Sequence, residues 1–367
     1  MIPTTKAQTG SGLPPVGSSL RYQGIQCLRA VAAMLVIYDH IQSSMVNCTS
    51  RWFTNEFGGV GVDVFFVISG FVIALTADKP GTRWAGFLRH RLARVVPFYF
   101  AMSAYFLSFA LRHHYTDLRQ VWNSFLFLPV FDRATFTNPL HGSGWTLCFE
   151  VWFYLVFAAF LGFFGRRVRW MLPAFFASGC LLVAVLPRSS SYFPTFAFHP
   201  LVLEFCAGIL VYQFRHHFGA KTALVATGIA ALMLLAVWRT EHLGYHIDVL
   251  AQTSLGLERA GVWGLTAVAL VVAAVSIDQS FSPRWPRWLV SYGNASYSLY
   301  LIQPYGILFV WRVHSHVPLG NAWRGWLFVG FCLALCLPLH RWVEVPLTNA
   351  ARRWLDRKPT RASVMKT

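Results

Sequence analysis

The chain has 367 residues, of which 56% are hydrophobic and only 12% charged, and its mean hydropathy is +0.48. A soluble domain of this size carries about a quarter charged residues, so these values exclude a soluble globular protein. The formal net charge of +17 sits in short loops between apolar segments. That is how orientation in a membrane is encoded, and no nucleic-acid partner is expected.

Residues 1–20 are rich in Gly, Pro, Ser and Thr and lack an apolar core, so they read as a disordered cytoplasmic tail rather than a signal peptide. Apolar stretches able to cross about 30 Å of hydrocarbon follow near 24–45, 58–76, 95–112, 144–163, 168–187, 199–214, 220–238, 259–277, 292–313 and 324–343. They predict an all-α, polytopic membrane helix bundle of about ten transmembrane helices. One transmembrane domain covers 21–346, and 347–367 reads as a basic cytoplasmic tail. The apolar run Val121–Phe131 is too short to span and contains Pro129, which predicts an interfacial or re-entrant segment.

Alternate loops are strongly unequal in charge. About 21 Lys and Arg fall on one side against about 9 on the other, and the rule that cytoplasmic loops are basic puts both termini in the cytoplasm. On that side the segment Thr82–Pro97 mixes Arg83, Arg89, Arg91 and Arg94 with Trp84, Phe87, Leu88 and Leu92. It reads either as an amphipathic helix resting on the inner membrane surface or as a ligand site. Of the seven cysteines, six lie in apolar segments, leaving Cys48 no loop partner for a disulfide. No cluster has metal-site spacing, and neither a Gly-x-Ser-x-Gly elbow nor a Walker loop is present.

Ionisable residues within apolar segments are costly and therefore functional candidates. The first span carries Arg29 and His40, eleven residues apart. At 100° per residue they return to within about 20° of one face, about 16 Å apart along the axis. That face offers a cation low and an imidazole high, although each residue alone could snorkel to its nearer interface. Asp39 precedes His40, Asp63 lies in the second span, and Glu150 and Glu204 lie in the fourth and sixth. Gly61 and Gly70 read as close-packing positions. A carboxylate at such depth must be paired or protonated.

These blocks carry a resemblance. Ile25–His40 with its Arg-x10-His spacing, Gly61–Phe71, Arg91–Pro97, Trp145-Thr146-Leu147 with Glu150, Ser296–Leu301 and Glu344-Val345-Pro346 occur in the order found in the bacterial acyltransferase family 3. The chain resembles the stand-alone members that modify exopolysaccharides and O-antigens, from about Arg21 to Pro346. Two positions depart from the family pattern: Gln26 where a second Arg is common, and Gln303 where a His usually follows the Ser-Tyr-Ser-Leu-Tyr-Leu block.

The resemblance implies a multi-pass protein of the bacterial inner membrane that transfers an acyl group, expected to be acetyl from cytoplasmic acetyl-CoA. The expected acceptor is a hydroxyl of a carbohydrate or lipid-linked saccharide at the outer side. Besides acyl-CoA, the saccharide and membrane lipid, no bound cofactor or metal is expected. Arg29, Arg89, Arg91 and Arg94 are the donor-site candidates, because CoA phosphates suit bidentate guanidinium groups. His40 is the candidate base, with Asp63 or Glu150 orienting it as a third member. Trp145 and Asp39 are assigned to the acceptor. Direct transfer and an acyl-histidine intermediate are both open at this point. The rival from another class is a transporter, which should show inverted repeats with broken helices in matching halves; the sequence has none.

Overall fold

In a computed structural model the described residues are 22–42, 57–112, 117–132, 135–137, 139–185, 193–240 and 253–356. Residues 1–21 and 357–367, Cys48, His113, His114, His242 and His246 fall outside them.

The chain forms a bundle of helices, as expected. Helix α1 (Gln23–Gln42) is followed by a short 3-10 turn (Phe57–Gly59) and α2 (Val60–Ala77). Next come α3 (Trp84–Arg112), the short α4 (Leu118–Leu126) and a ribbon of two three-residue strands, β1 (Val130–Asp132) and β2 (Thr135–Thr137). Helices α5 (Gly144–Phe164), α6 (Val168–Val185), α7 (Phe193–Ala197), α8 (Leu201–Phe214) and α9 (Ala220–Arg239) make up the middle. The last third contains α10 (Thr253–Arg259), α11 (Leu265–Phe281), α12 (Arg287–Asn294), α13 (Ser296–Leu301), α14 (Gln303–His314), α15 (Asn321–Leu339) and α16 (Val345–Asp356).

Eight stretches among the described residues are long and apolar enough to cross a membrane. The difference from ten has two physical causes. Helices α5 and α6 are joined only by the tight turn Gly165–Arg167 and form one apolar stretch, Gly144–Val185. The expected span at 292–313 is divided among α12, α13 and α14, none of them long enough alone.

Two further expectations are corrected. The basic segment Thr82–Pro97 is not a separate surface helix, because from Trp84 onward it forms the first turns of α3, which is 29 residues long. At 1.5 Å per residue that helix measures about 43 Å, long enough to cross the hydrocarbon and carry its arginines beyond one face. Residues 347–356, read as the start of the basic tail, belong to α16, which packs on α3. Leu118, Trp122 and Leu126 form one exposed stripe on α4, which fits the interfacial form of the expectation for that region.

Helix α2 lies at the centre, against α1 and α8. The approach to α8 depends on missing side chains: a Cβ at Gly70 would stand 1.9 Å from the Phe205 carbonyl, and one at Gly208 would stand 2.0 Å from that of Val67. Gly61 plays the same part against α1, where a Cβ would come within 2.2 Å of the Ala32 carbonyl. Small residues of this kind let membrane helices meet backbone to backbone. They also fix the register that sets Asp63 and Ser69 on α2 against their partners.

Candidate active site

Two cavities are stacked along α1. The lower one, of about 100 Å³, is lined by Arg29, Arg91, Arg94, Glu150 and Tyr154 together with apolar residues of α2 and α5. The upper one, of about 90 Å³, is lined by Asp39, His40, Trp145, Arg259 and Pro304 among others. Both touch Val62 and Tyr300, so these two side chains stand where the cavities meet. Tyr300 is fixed there by a 3.0 Å hydrogen bond between its hydroxyl and that of Thr146.

The lower cavity is cationic. Arg29 reaches it from α1 and donates to Gln26 Oε1 at 3.4 Å, so the departure at Gln26 supplies a neutral partner for the guanidinium. Arg91 is buried and donates to the Val72 carbonyl at 2.9 Å and to the Thr76 hydroxyl. Glu150 accepts from the hydroxyls of Ser69, at 3.0 Å, and Tyr154. A carboxylate so held among three arginines keeps the cavity from being uniformly positive, and its hydrogen-bond partners fix where it points.

The upper cavity holds His40. Its Nδ1 is hydrogen-bonded to the side-chain oxygen of Gln303 at the start of α14. Asp39 is buried, with Oδ1 accepting from the Gly59 N–H at 2.9 Å. Trp145 stands at the head of α5, edge-on to Phe66 and Phe149. These indole and imidazole groups face the same space.

Arg259 was missed as a site residue and proves central. It donates from Nε to Asp63 Oδ1 at 3.0 Å and from Nη2 to Asp63 Oδ2 at 2.7 Å, and it reaches the Gly59 carbonyl at 3.2 Å. Its guanidinium also lies 4.7 Å from the centre of the Trp263 ring. A π-helical turn, Ala260–Gly264, follows directly; such turns often mark functional sites. Counted as an external loop charge, Arg259 gave no signal; as the first residue of an apolar segment it belonged with the intramembrane charges.

The structure therefore separates residues that the sequence reading grouped. Asp63 does not orient His40: it is fully buried in an ion pair with Arg259, with Glu204 in electrostatic reach of both. Glu150 does not reach His40 either, because it belongs to the lower cavity with the arginines. Arg89 is exposed and donates to the Leu355 carbonyl at 3.1 Å, so it ties α3 to α16 and lines neither cavity. Arg29, Arg91 and Arg94 are brought together, as are His40, Asp39 and Trp145. A second π-helical turn, His340–Glu344, places Glu344 against the Ser298 hydroxyl at 2.6 Å and His340 at 2.8 Å, which anchors the end of α15 to α13.

A family model described as an acyltransferase domain matches residues 22–341. The exopolysaccharide production protein ExoZ of Rhizobium meliloti is similar at 30% identity over 277 residues, covering 72% of this chain and 81% of that protein. The peptidoglycan O-acetyltransferase OatA of Listeria monocytogenes is similar at 24% identity over 359 residues, covering 88% of this chain but 55% of that protein. The chain thus spans about half the length of this second relative. No solved structure matches.

Proposed function

This chain belongs to that acyltransferase family, and on that premise we propose that it transfers an acetyl group from acetyl-CoA to a hydroxyl of a polysaccharide or lipid-linked sugar. The lower cavity takes the donor from the cytoplasm and the upper one takes the acceptor from the outer side of the inner membrane. The observation that carries this reading is the stacked pair of cavities, one cationic and one built around an imidazole, meeting at Val62 and Tyr300.

Arg91 and Arg94 hold the CoA phosphates, with Arg29 nearer the thioester. Charged hydrogen bonds from guanidinium groups suit phosphate oxygens. The thioester extends past Phe65 and Leu147 toward Val62 and Tyr300. In the upper cavity the acceptor hydroxyl lies against His40, with Trp145 offering an apolar face to a sugar ring. His40 removes the hydroxyl proton as the oxygen attacks the thioester carbonyl. The new C–O bond forms, the C–S bond breaks, and the proton passes from the imidazolium to the departing thiolate. Asp39 lies beside the acceptor and is the second polar contact for its hydroxyls.

The test is transfer of radiolabel from acetyl-CoA to a saccharide polymer, compared between the native protein and His40→Gln. An amide cannot take up a proton near neutral pH, although it keeps the polarity of a residue that merely reaches for the interface. His40→Gln is expected to insert normally, bind acetyl-CoA and lose about 10²-fold or more in kcat. A fully inserted His40→Gln protein with near-native turnover removes His40 from this role.

A further inference from the structure

The sequence reading sought the orienting partner of His40 among carboxylates, and both are engaged elsewhere. Asp63 is taken by Arg259, and Glu150 by Ser69 and Tyr154. Among the described residues, Nδ1 of His40 meets the side-chain oxygen of Gln303. A carbonyl oxygen only accepts, so the ring presents the Nδ1 N–H to it, and the neutral imidazole keeps its lone pair on the opposite nitrogen, Nε2.

Gln303 is fully buried, and its Nε2 has no hydrogen-bond partner among the described residues. The backbone fixes its place: Gln303 is the first residue of α14, directly after the break at Ile302 and before Pro304, which lines the cavity with His40.

We infer that Gln303 is the positioning residue of His40, fixing the tautomer that carries hydrogen on Nδ1 and directing Nε2 to the acceptor hydroxyl. This rests on His40 being the base. It also gives the base an uncharged orienter, so the imidazolium formed during transfer is not matched by a carboxylate on its far side. The charged and titratable groups lining the same cavity are Asp39, Arg259 and Tyr300, and these stay constant when residue 303 alone is changed.

Two substitutions test the inference, assayed by transfer of radiolabelled acetyl groups and by acetyl-CoA binding. Gln303→Met keeps size and removes the acceptor oxygen. It should bind acetyl-CoA like the native protein and lose about tenfold or more in kcat with little change in KM, as expected when a base loses its orientation. Gln303→Glu restores an acceptor but adds a charge. It should recover much of the kcat and move the acidic limb of the pH–rate profile about one unit or more to higher pH, since a neighbouring carboxylate favours the protonated ring. If Gln303→Met fails to insert, the Gln303→Glu profile decides alone. Native kcat in Gln303→Met, or an unmoved limb in Gln303→Glu, overturns the inference. His40→Gln assayed alongside separates the failures. If it is inactive while Gln303→Met is native, only the role of Gln303 falls; if it retains turnover, the base assignment falls and this inference with it.

Discussion

At the scale of single residues, a buried charge matched by an opposite charge within the protein marks a structural role. Asp63 and Arg259 are 0% and 2% exposed as side chains and satisfy each other through two hydrogen bonds. Removing one member of such a pair leaves an uncompensated buried charge, which costs about 3–5 kcal/mol. Asp63→Asn and Arg259→Met should each lower the thermal stability of the purified protein by that order, whereas the double variant should lose less than the sum. Were Asp63 instead the partner of His40, Asp63→Asn would leave stability intact and lose turnover alone. Thermal unfolding measured beside kcat distinguishes the two. The sequence marked Asp63 as costly but contained nothing to name its partner, because Arg259 is 196 residues away and it is the packing of the π-helical turn Ala260–Gly264 on α2 that brings them together. His40 and Arg29 were legible because both lie on one helix, where spacing alone gives the face.

At the scale of elements, α3 shows where a sequence pattern misleads. Its first turns are charged and it contains Pro97, so hydropathy assigned the span only from about residue 95. Proline is tolerated within membrane helices, where neighbouring groups satisfy the freed carbonyl, and the helix runs through. That continuity decides which arginines serve the donor. Arg91 and Arg94 face the cavity, and Arg89 points to the end of α16. Arg91→Ala or Arg94→Ala should raise the KM for acetyl-CoA about 10- to 150-fold, corresponding to a charged hydrogen bond of about 1.5–3 kcal/mol, with the acceptor KM little changed. Arg89→Ala should leave both constants close to native. Equal donor KM values in all three variants would remove α3 from the donor site. The opposite error occurred at 292–313, where Gly293-Asn294 and Pro304 stand beside the breaks at Ala295 and Ile302 but the apolar run between them reads as one span. There Gln303, which touches His40, was legible only as a departure from a family pattern.

At the scale of the whole molecule, the proposed reaction requires direction, with the donor entering from one side and the acceptor from the other. Helix α1 starts at the end of the bundle where Gly24 N donates to Asp278 Oδ2 at 2.8 Å, and it ends at the upper cavity with His40. The turn between α2 and α3 carries Thr82, and the turn between α14 and α15 carries the exposed Val317. The excess of Lys and Arg in alternate loops predicts the first turn on the cytoplasmic side and the second outside. The six cysteines among the described residues are free and buried, so replacing Cys48 leaves a quiet background for single introduced thiols. In that background Thr82→Cys should resist a membrane-impermeant thiol reagent in intact cells and react once the membrane is permeabilised. Val317→Cys should react at once. The reverse pattern would turn the bundle over, place Arg91 and Arg94 outside, and leave cytoplasmic acetyl-CoA no route to the lower cavity.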